Sequence, residues 1–321
     1  MIARGAVKPE RTVRSLLDYG VRLFGKSRIA YGHGTLNALD EAAWLILSSL
    51  GLPPQELDAH LDAPLSPARY AAARALLDAR VATRKPAAYL LHEAWLGAHR
   101  FYVDERVIVP RSFIAELLEK RGQIPFSDGH GSGPPAPKKG SDPFLYPASI
   151  LDLCTGSGCL AILAALRYPD AQVDAADLSD DALAVARRNV ADYGLARRVR
   201  LVKSDLFSAL GGRKYDLILS NPPYVKASSM RALPAEYRKE PRMALASGSD
   251  GLDHTRAILA GAPGHLNAHG LLVVEIGHNR KALEKSFPHL RFAWPRTRAG
   301  RGYVLAIRRE ALTRGARGRM L

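Results

Sequence analysis

The chain has 321 residues, is 47% hydrophobic and 24% charged, and carries a formal net charge of +15. That length supports one large domain or two of medium size, and the composition is that of a soluble globular protein. No apolar run reaches the roughly 20 residues of a membrane span, and the opening "MIARGAVKPERTVRS" lacks the apolar centre of a secretory signal. Cys154 and Cys159 have no third or fourth partner, so neither a metal cluster nor a disulfide framework is expected. A cytoplasmic protein with no membrane partner and two small buried thiols fits this usage. From Arg291 to Leu321 there are nine arginines against one acid, Glu310. Such a balance suggests attraction to nucleic acid, or else a basic solvated tail.

In chain order, the first stretch is helical. "TVRSLLDYGVRLF" from Thr12, "TLNALDEAAWLILSSLG" from Thr35 and "SPARYAAARALLDARVATR" from Ser66 place apolar residues at three- and four-residue intervals. Thr35 and Ser66 are suitable N-caps, and Gly51 is a suitable C-terminal stop. A helical domain over 1–87 is expected. "AYLLHEAWLGAHRFYVDERVIVP", Ala88 to Pro110, is richer in aromatics and valine and turns at Gly97, so it reads as a hairpin. "RSFIAELLEK" from Arg111 reads as a connecting helix, closing a segment over 88–120. Residues 121–147 are rich in glycine, proline and serine and read as a flexible linker.

From Ser149 strands and helices alternate, the signature of an α/β fold with a parallel sheet, expected over 148–310. "SILDL", "AQVDAAD", "VRLVKSD", "YDLILS", "LLVVEIG" and "YVLAIR" read as strands. "CLAILAALRY", "SDDALAVARRNVADYG" and "HTRAILAGAPGHL" read as helices. Residues 311–321 read as a basic tail.

Two local features carry chemistry. A strand followed by "CTGSG" lets Gly156 and Gly158 bring backbone close to a nucleotide at a helix N-terminus. Asp152 ends that strand and Asp177 the next, where a carboxylate can take both hydroxyls of a ribose. "GSGCLA" also matches a dinucleotide fingerprint, which keeps a nicotinamide dehydrogenase open. The second feature is "NPPY", Asn221, Pro222, Pro223 and Tyr224, at the tip of the fourth strand. In a doubly wound sheet that strand lies beside the first, so Asn221 falls next to the glycine loop. A hydride-transfer enzyme has no use for such a corner, whereas methylation of a planar nitrogen does. The Asn221 side-chain oxygen and the Pro222 carbonyl can accept both N–H groups of an amide, and Tyr224 offers a flat face to it.

Together "VPRS", "LDLCTGSGC", "DLSDDALAVARRN", "SDLFSAL", "NPPYV", "LPAEYRKEPRMALASGSDGLD" and "LLVVEIG" resemble the protein-(glutamine-N5) methyltransferases. The resemblance runs from about Thr12 to Ile307. It implies a Rossmann-like S-adenosylmethionine-dependent domain with a small N-terminal helical domain for substrate recognition. Arg111-Ser112 and the span Cys154 to Cys159 look like the branch acting on large-subunit ribosomal protein L-three. The other branch acts on the Gly-Gly-Gln loop of release factors. By the same resemblance, S-adenosylmethionine lies over Thr155, Gly156, Ser157 and Gly158. Asp177 takes its ribose, and Asp205 to Phe207 border the adenine. Asn221 to Tyr224 hold the glutamine. Adenine amino-group methylation and a non-catalytic ribosome-assembly binder remain as alternatives. A basic enzyme gains little from a basic free ribosomal protein, so an rRNA-containing assembly intermediate is the expected partner.

Overall fold

The computed structural model describes residues 11–119 and 146–317. It divides into a helical unit, 1–93 with 234–239, and a larger unit, 94–233 with 240–321. The expected linker lies outside the described residues except for Tyr146 and Pro147. Among the described residues no helix is long and apolar enough to cross a membrane.

The helical unit is built on α1 (Val13–Ser27), α2 (Ala38–Leu50), the single turn α3 (Leu57–His60), α4 (Pro67–Thr83) and α5 (Ala87–Leu91). Leu16, Phe24, Leu45, Ile46 and Leu77 are buried at its centre, each worth about 1.5–3 kcal/mol of burial. Gly20 permits the close crossing there: a Cβ would stand 3.0 Å from the Ala42 Cβ and 3.1 Å from Leu77. Ser66 caps α4 and Gly51 ends α2 as expected, but the cap of α2 is Asn37. Thr35 instead donates its hydroxyl to the buried Glu41. Glu41 also pairs with the fully buried Arg80, whose Nη2 donates to the Ala30 carbonyl at 3.0 Å. The segment 234–239 joins this unit through its side chains. Glu236 accepts from Arg84 at 2.9 Å, and Tyr237 packs at a tilt against His33 with ring centroids 4.2 Å apart.

The hairpin is shorter than its sequence suggests. Pro86 stands at the N-cap of α5, whose five residues take the first part of that aromatic run, and His92 ends the helix in the left-handed region. Only β1 (Ala94–Leu96) and β2 (His99–Phe101) pair, around Gly97. The connecting helix is α6 (Ile114–Glu119).

The main sheet contains β3 (Ser149–Leu153), β4 (Gln172–Asp177), β5 (Val199–Lys203), β6 (Tyr215–Ser220), β7 (Leu266–Glu275) and β10 (Val304–Arg308). Its order is β10-β7-β6-β3-β4-β5, with only β10 antiparallel. The helices are α7 (Cys159–Arg167), α8 (Asp180–Asp192), α9 (Asp253–His265) and α10 (Arg280–Ser286). The two-residue strands β8 (Arg296–Thr297) and β9 (Gly300–Arg301) precede β10, and α11 (Arg309–Arg317) follows it. The strands are apolar on both faces, as a sheet covered by helices on both sides requires. Ile150, Leu217, Leu219 and Val273 enter the core beside α6 and α7, while Leu151, Leu153, Ile218 and Val274 enter the one beside α9 and α11.

The expected basic tail is therefore helical as far as Arg317. Leu312, 5% exposed, belongs to the second core, because its apolar side chain finds the sheet face next to α9.

Candidate active site

The order of the sheet reverses at β3, which has β4 on one side and β6 on the other. In such sheets ligands bind beyond the carboxyl ends of the strands at that reversal. A cavity, open to solvent at its mouth, lies there and reaches Gly156, Asp177, Asp205, Asn221 and Pro223 among the residues singled out in the sequence. It also reaches Leu153, Cys154, Leu178, Ser179, Leu206 and His254.

The glycine turn is held from behind. The buried Asp152 takes the Thr155 hydroxyl at 2.5 Å and the Ala161 N–H at 3.0 Å. Asn189 donates to the Ser157 carbonyl at 2.8 Å and exchanges hydrogen bonds with the Tyr102 backbone. Asp152, Thr155, Ser157 and Gly158 are thus not on the cavity lining; they shape the loop that is. Burial raises the Asp152 carboxyl to about 7 against the hydrogen bonds from Thr155 and Ala161, with the nearby Asp177 adding to the rise. Gly156 and Gly158 are both left-handed, but a Cβ on Gly156 would meet nothing within 4 Å. The one on Gly158 would stand 3.2 Å from the Ala186 Cβ on α8.

Asp177 lies at the end of β4 with one oxygen on the Gly156 N–H at 2.8 Å and the other on the Ser179 N–H at 3.0 Å. Burial raises its pKa, and those N–H donors oppose the rise. Each oxygen keeps capacity for a further donor. The segment after β5 differs from expectation. Phe207 turns away and stacks on His265, centroids 4.5 Å apart, against Gly261. Leu206 takes the cavity position instead, at φ 47, with its carbonyl bound by the Ser204 hydroxyl at 2.6 Å. Cys154 also lines the cavity at positive φ. Non-glycine residues persist in that region when their surroundings over-determine them.

At the tip of β6, Asn221 is half-buried on the cavity wall, and among the described residues its side-chain amide makes no hydrogen bond. Tyr224 is off the cavity lining but tightly clamped. Its hydroxyl donates to Glu275 at 3.2 Å, and its carbonyl accepts from Asn279 at 2.8 Å. Its ring lies so close to Gly277 that a Cβ there would stand 2.8 Å away. Pro222 is buried and also off the lining.

Three further groups escaped the sequence reading. Glu275 accepts from the Ser112 hydroxyl at 2.7 Å and the Phe113 N–H at 2.9 Å as well as from Tyr224. Burial pushes its carboxyl up to about 7 against those three donors. Glu240 takes Arg111 in a fork at 2.5 and 2.6 Å and the Val109 N–H at 2.9 Å. Together they fasten "VPRS" to the carboxyl edge of the sheet. Arg106 reaches the cavity, held by a 2.6 Å ion pair to Asp104. A glutamate inside "LLVVEIG" was the available signal: an acid in a buried strand needs partners.

Residues 144–248 match the Methyltransferase small domain, and residues 31–91 match the PrmC N-terminal domain. The chain is 52% identical to the ribosomal protein uL3 glutamine methyltransferase of Bordetella pertussis, covering 94% of this chain and 96% of that one. It is 52% identical to the protein of that name from Neisseria meningitidis serogroup B, over 94% of each chain. With the one from Burkholderia pseudomallei the identity is 49%, over 95% of this chain and 96% of the other.

The chain belongs to the ribosomal protein uL3 glutamine methyltransferase family.

It is a methyltransferase, and S-adenosylmethionine is its methyl donor. The residues present fit that donor. The open space over Gly156 admits it, the Asp177 carboxylate can accept from two ribose hydroxyls, and Leu178 and Leu206 give apolar walls for an adenine.

Proposed function

We propose that this methyltransferase modifies the side-chain N5 of a glutamine in ribosomal protein uL3, in the cytoplasm, on an assembly intermediate that contains rRNA. The observation that carries the reaction is the Asn221 corner: an amide with no hydrogen-bond partner among the described residues, on the wall of the donor cavity, beside the Pro222 carbonyl.

A glutamine amide nitrogen is a poor nucleophile because its lone pair is delocalised into the carbonyl. Asn221 Oδ1 and the Pro222 carbonyl accept its two N–H groups and fix its plane with the nitrogen facing the cavity. Both acceptors strengthen as positive charge builds on nitrogen. Bound S-adenosylmethionine supplies an electrophilic methyl group on a sulfonium. The hydrogen bonds from Tyr224 to Glu275 and from Asn279 to the Tyr224 carbonyl fix the end of the Asn-Pro-Pro corner that carries these acceptors. The amide proton becomes acidic only as that charge forms, so no strong base is required.

Support for uL3 is the name shared by relatives about half identical over nearly the whole chain. Support for an rRNA-containing substrate is charge: a +15 protein is drawn to phosphates more than to a basic protein. The test is transfer of labelled methyl to isolated uL3, a release factor and an undermethylated ribosomal fraction, with the modified residue mapped by mass spectrometry. Label on a uL3 glutamine, reduced about 10²–10³-fold by Asn221→Ala, is expected. Label on the release factor alone would show the right chemistry on another partner, and label on nucleic acid alone would overturn the reading.

A further inference from the structure

The pairing of β8 with β9 sets Arg296 directly opposite Arg301. Like charges facing one another across a strand pair are destabilising. Both side chains are exposed, and among the described residues neither has an acidic partner. Arg298, in the turn between them, differs: its Nε and its backbone N–H each reach Glu116 at 2.9 Å and anchor the turn. The base of the hairpin is packed against its neighbours. The Arg280 stem lies where a Cβ of Gly302 would be, and its guanidinium sits 4.5 Å over the Trp294 ring. Tyr303 packs against Phe113 and His278. The fold therefore sets two cationic side chains on paired positions, with no acidic partner for either among the described residues.

Their location matters as much as their charge. The hairpin leads into β10, whose first residue Val304 pairs with Glu275 at the end of β7. Ser220, the residue before Asn221, pairs with Val274 on the same strand. Arg296 and Arg301 thus stand at the sheet edge that carries the acceptor corner.

We propose that Arg296 and Arg301 form a clamp for the phosphate backbone of RNA beside the acceptor site. The clamp rests on the assembly-intermediate reading above and gives it a surface. Guanidinium forks match phosphate oxygens and are weakly hydrated, so an anionic backbone removes the repulsion that the hairpin otherwise carries.

The test is salt-dependent binding of fluorescein-labelled oligouridine to the full-length protein. Arg296→Gln/Arg301→Gln is compared with Arg187→Gln/Arg197→Gln, which removes equal charge from other exposed positions. The slope of log affinity against log salt should fall by about 1.4 in the hairpin variant, from two contacts at roughly 0.7 each, and stay unchanged in the control. The Tm of the hairpin variant should equal or exceed that of the wild type, since a like-charge pair is relieved. Equal loss in both variants, a lowered Tm accompanying the loss, or preferential binding to phosphatidylglycerol vesicles would each overturn the clamp. Methyl transfer to isolated uL3 by the wild-type enzyme tests the proposed function separately, because RNA binding is read without an acceptor.

Discussion

Gly156 and Gly158 occupy the same turn and are both left-handed, at φ 56 and 80, but their surroundings are opposite. Substitution by alanine costs the backbone about 1–2 kcal/mol at either position. At Gly156 the added methyl group meets nothing within 4 Å and enters the cavity. At Gly158 it stands 3.2 Å from the Ala186 Cβ and 3.3 Å from the Ala186 Cα. The latter is helix backbone and cannot rotate away, so overpacking adds about 1–3 kcal/mol. Gly158→Ala should therefore cost roughly 2–5 kcal/mol, and Gly156→Ala only the 1–2 kcal/mol of the backbone. Donor binding should show the reverse order, with Gly156→Ala the more damaging because its methyl occupies space the donor needs. Urea unfolding at constant m gives the first quantity and calorimetric titration with S-adenosylmethionine the second. Gly156→Ala as destabilising as Gly158→Ala, or with donor affinity equal to that of the wild type, would refute this difference between the two glycines.

Two further predictions concern the groups that only the structure exposed. Burial lifts the Glu275 carboxyl from its ordinary 4.5 to about 7, so between those values the folded state holds more protons than the unfolded one and stability falls as pH rises. Glu275→Gln removes that slope: its stability relative to wild type should improve by up to about 3 kcal/mol between pH 4.5 and pH 8. A difference independent of pH would mean that this carboxylate is not displaced by its site. Leu312→Ala should cost about 2–5 kcal/mol, because the side chain belongs to the core beside the sheet. A thermal shift equivalent to less than about 0.5 kcal/mol would return that segment to a solvated tail.

Much of this protein was legible in local pattern. Short apolar runs located β3 to β7 and β10, and helical spacing located α1, α2, α4, α7 and α8. Propensity erred where short-range signals competed. Aromatic and β-branched content drew residues 88–93 into a hairpin, although Pro86 starts a helical turn there. Thr35 suited an N-cap, but burial beside Glu41 and Arg80 gave its hydroxyl another acceptor. The arginine-rich C-terminal segment hid a leucine that reaches the core.

By itself the sequence determined the alternation of strands and helices, the left-handed glycine turn and the rigid Asn-Pro-Pro corner. Each is a property of a few consecutive residues and their allowed backbone angles. Which motif side chains face the cavity was decided only by tertiary structure. Asp152 and Phe207 turned inward to brace the loop and the core, while Leu206, Cys154 and Arg106 took places on the wall. The clamps on "VPRS" and Tyr224 come from Glu240, Glu275 and Asn279, residues far away in the chain. No local pattern encodes those pairings. They follow from the sheet order, which brings the ends of β6 and β7 and the start of β10 to one edge and leaves each buried acid to find its donors there.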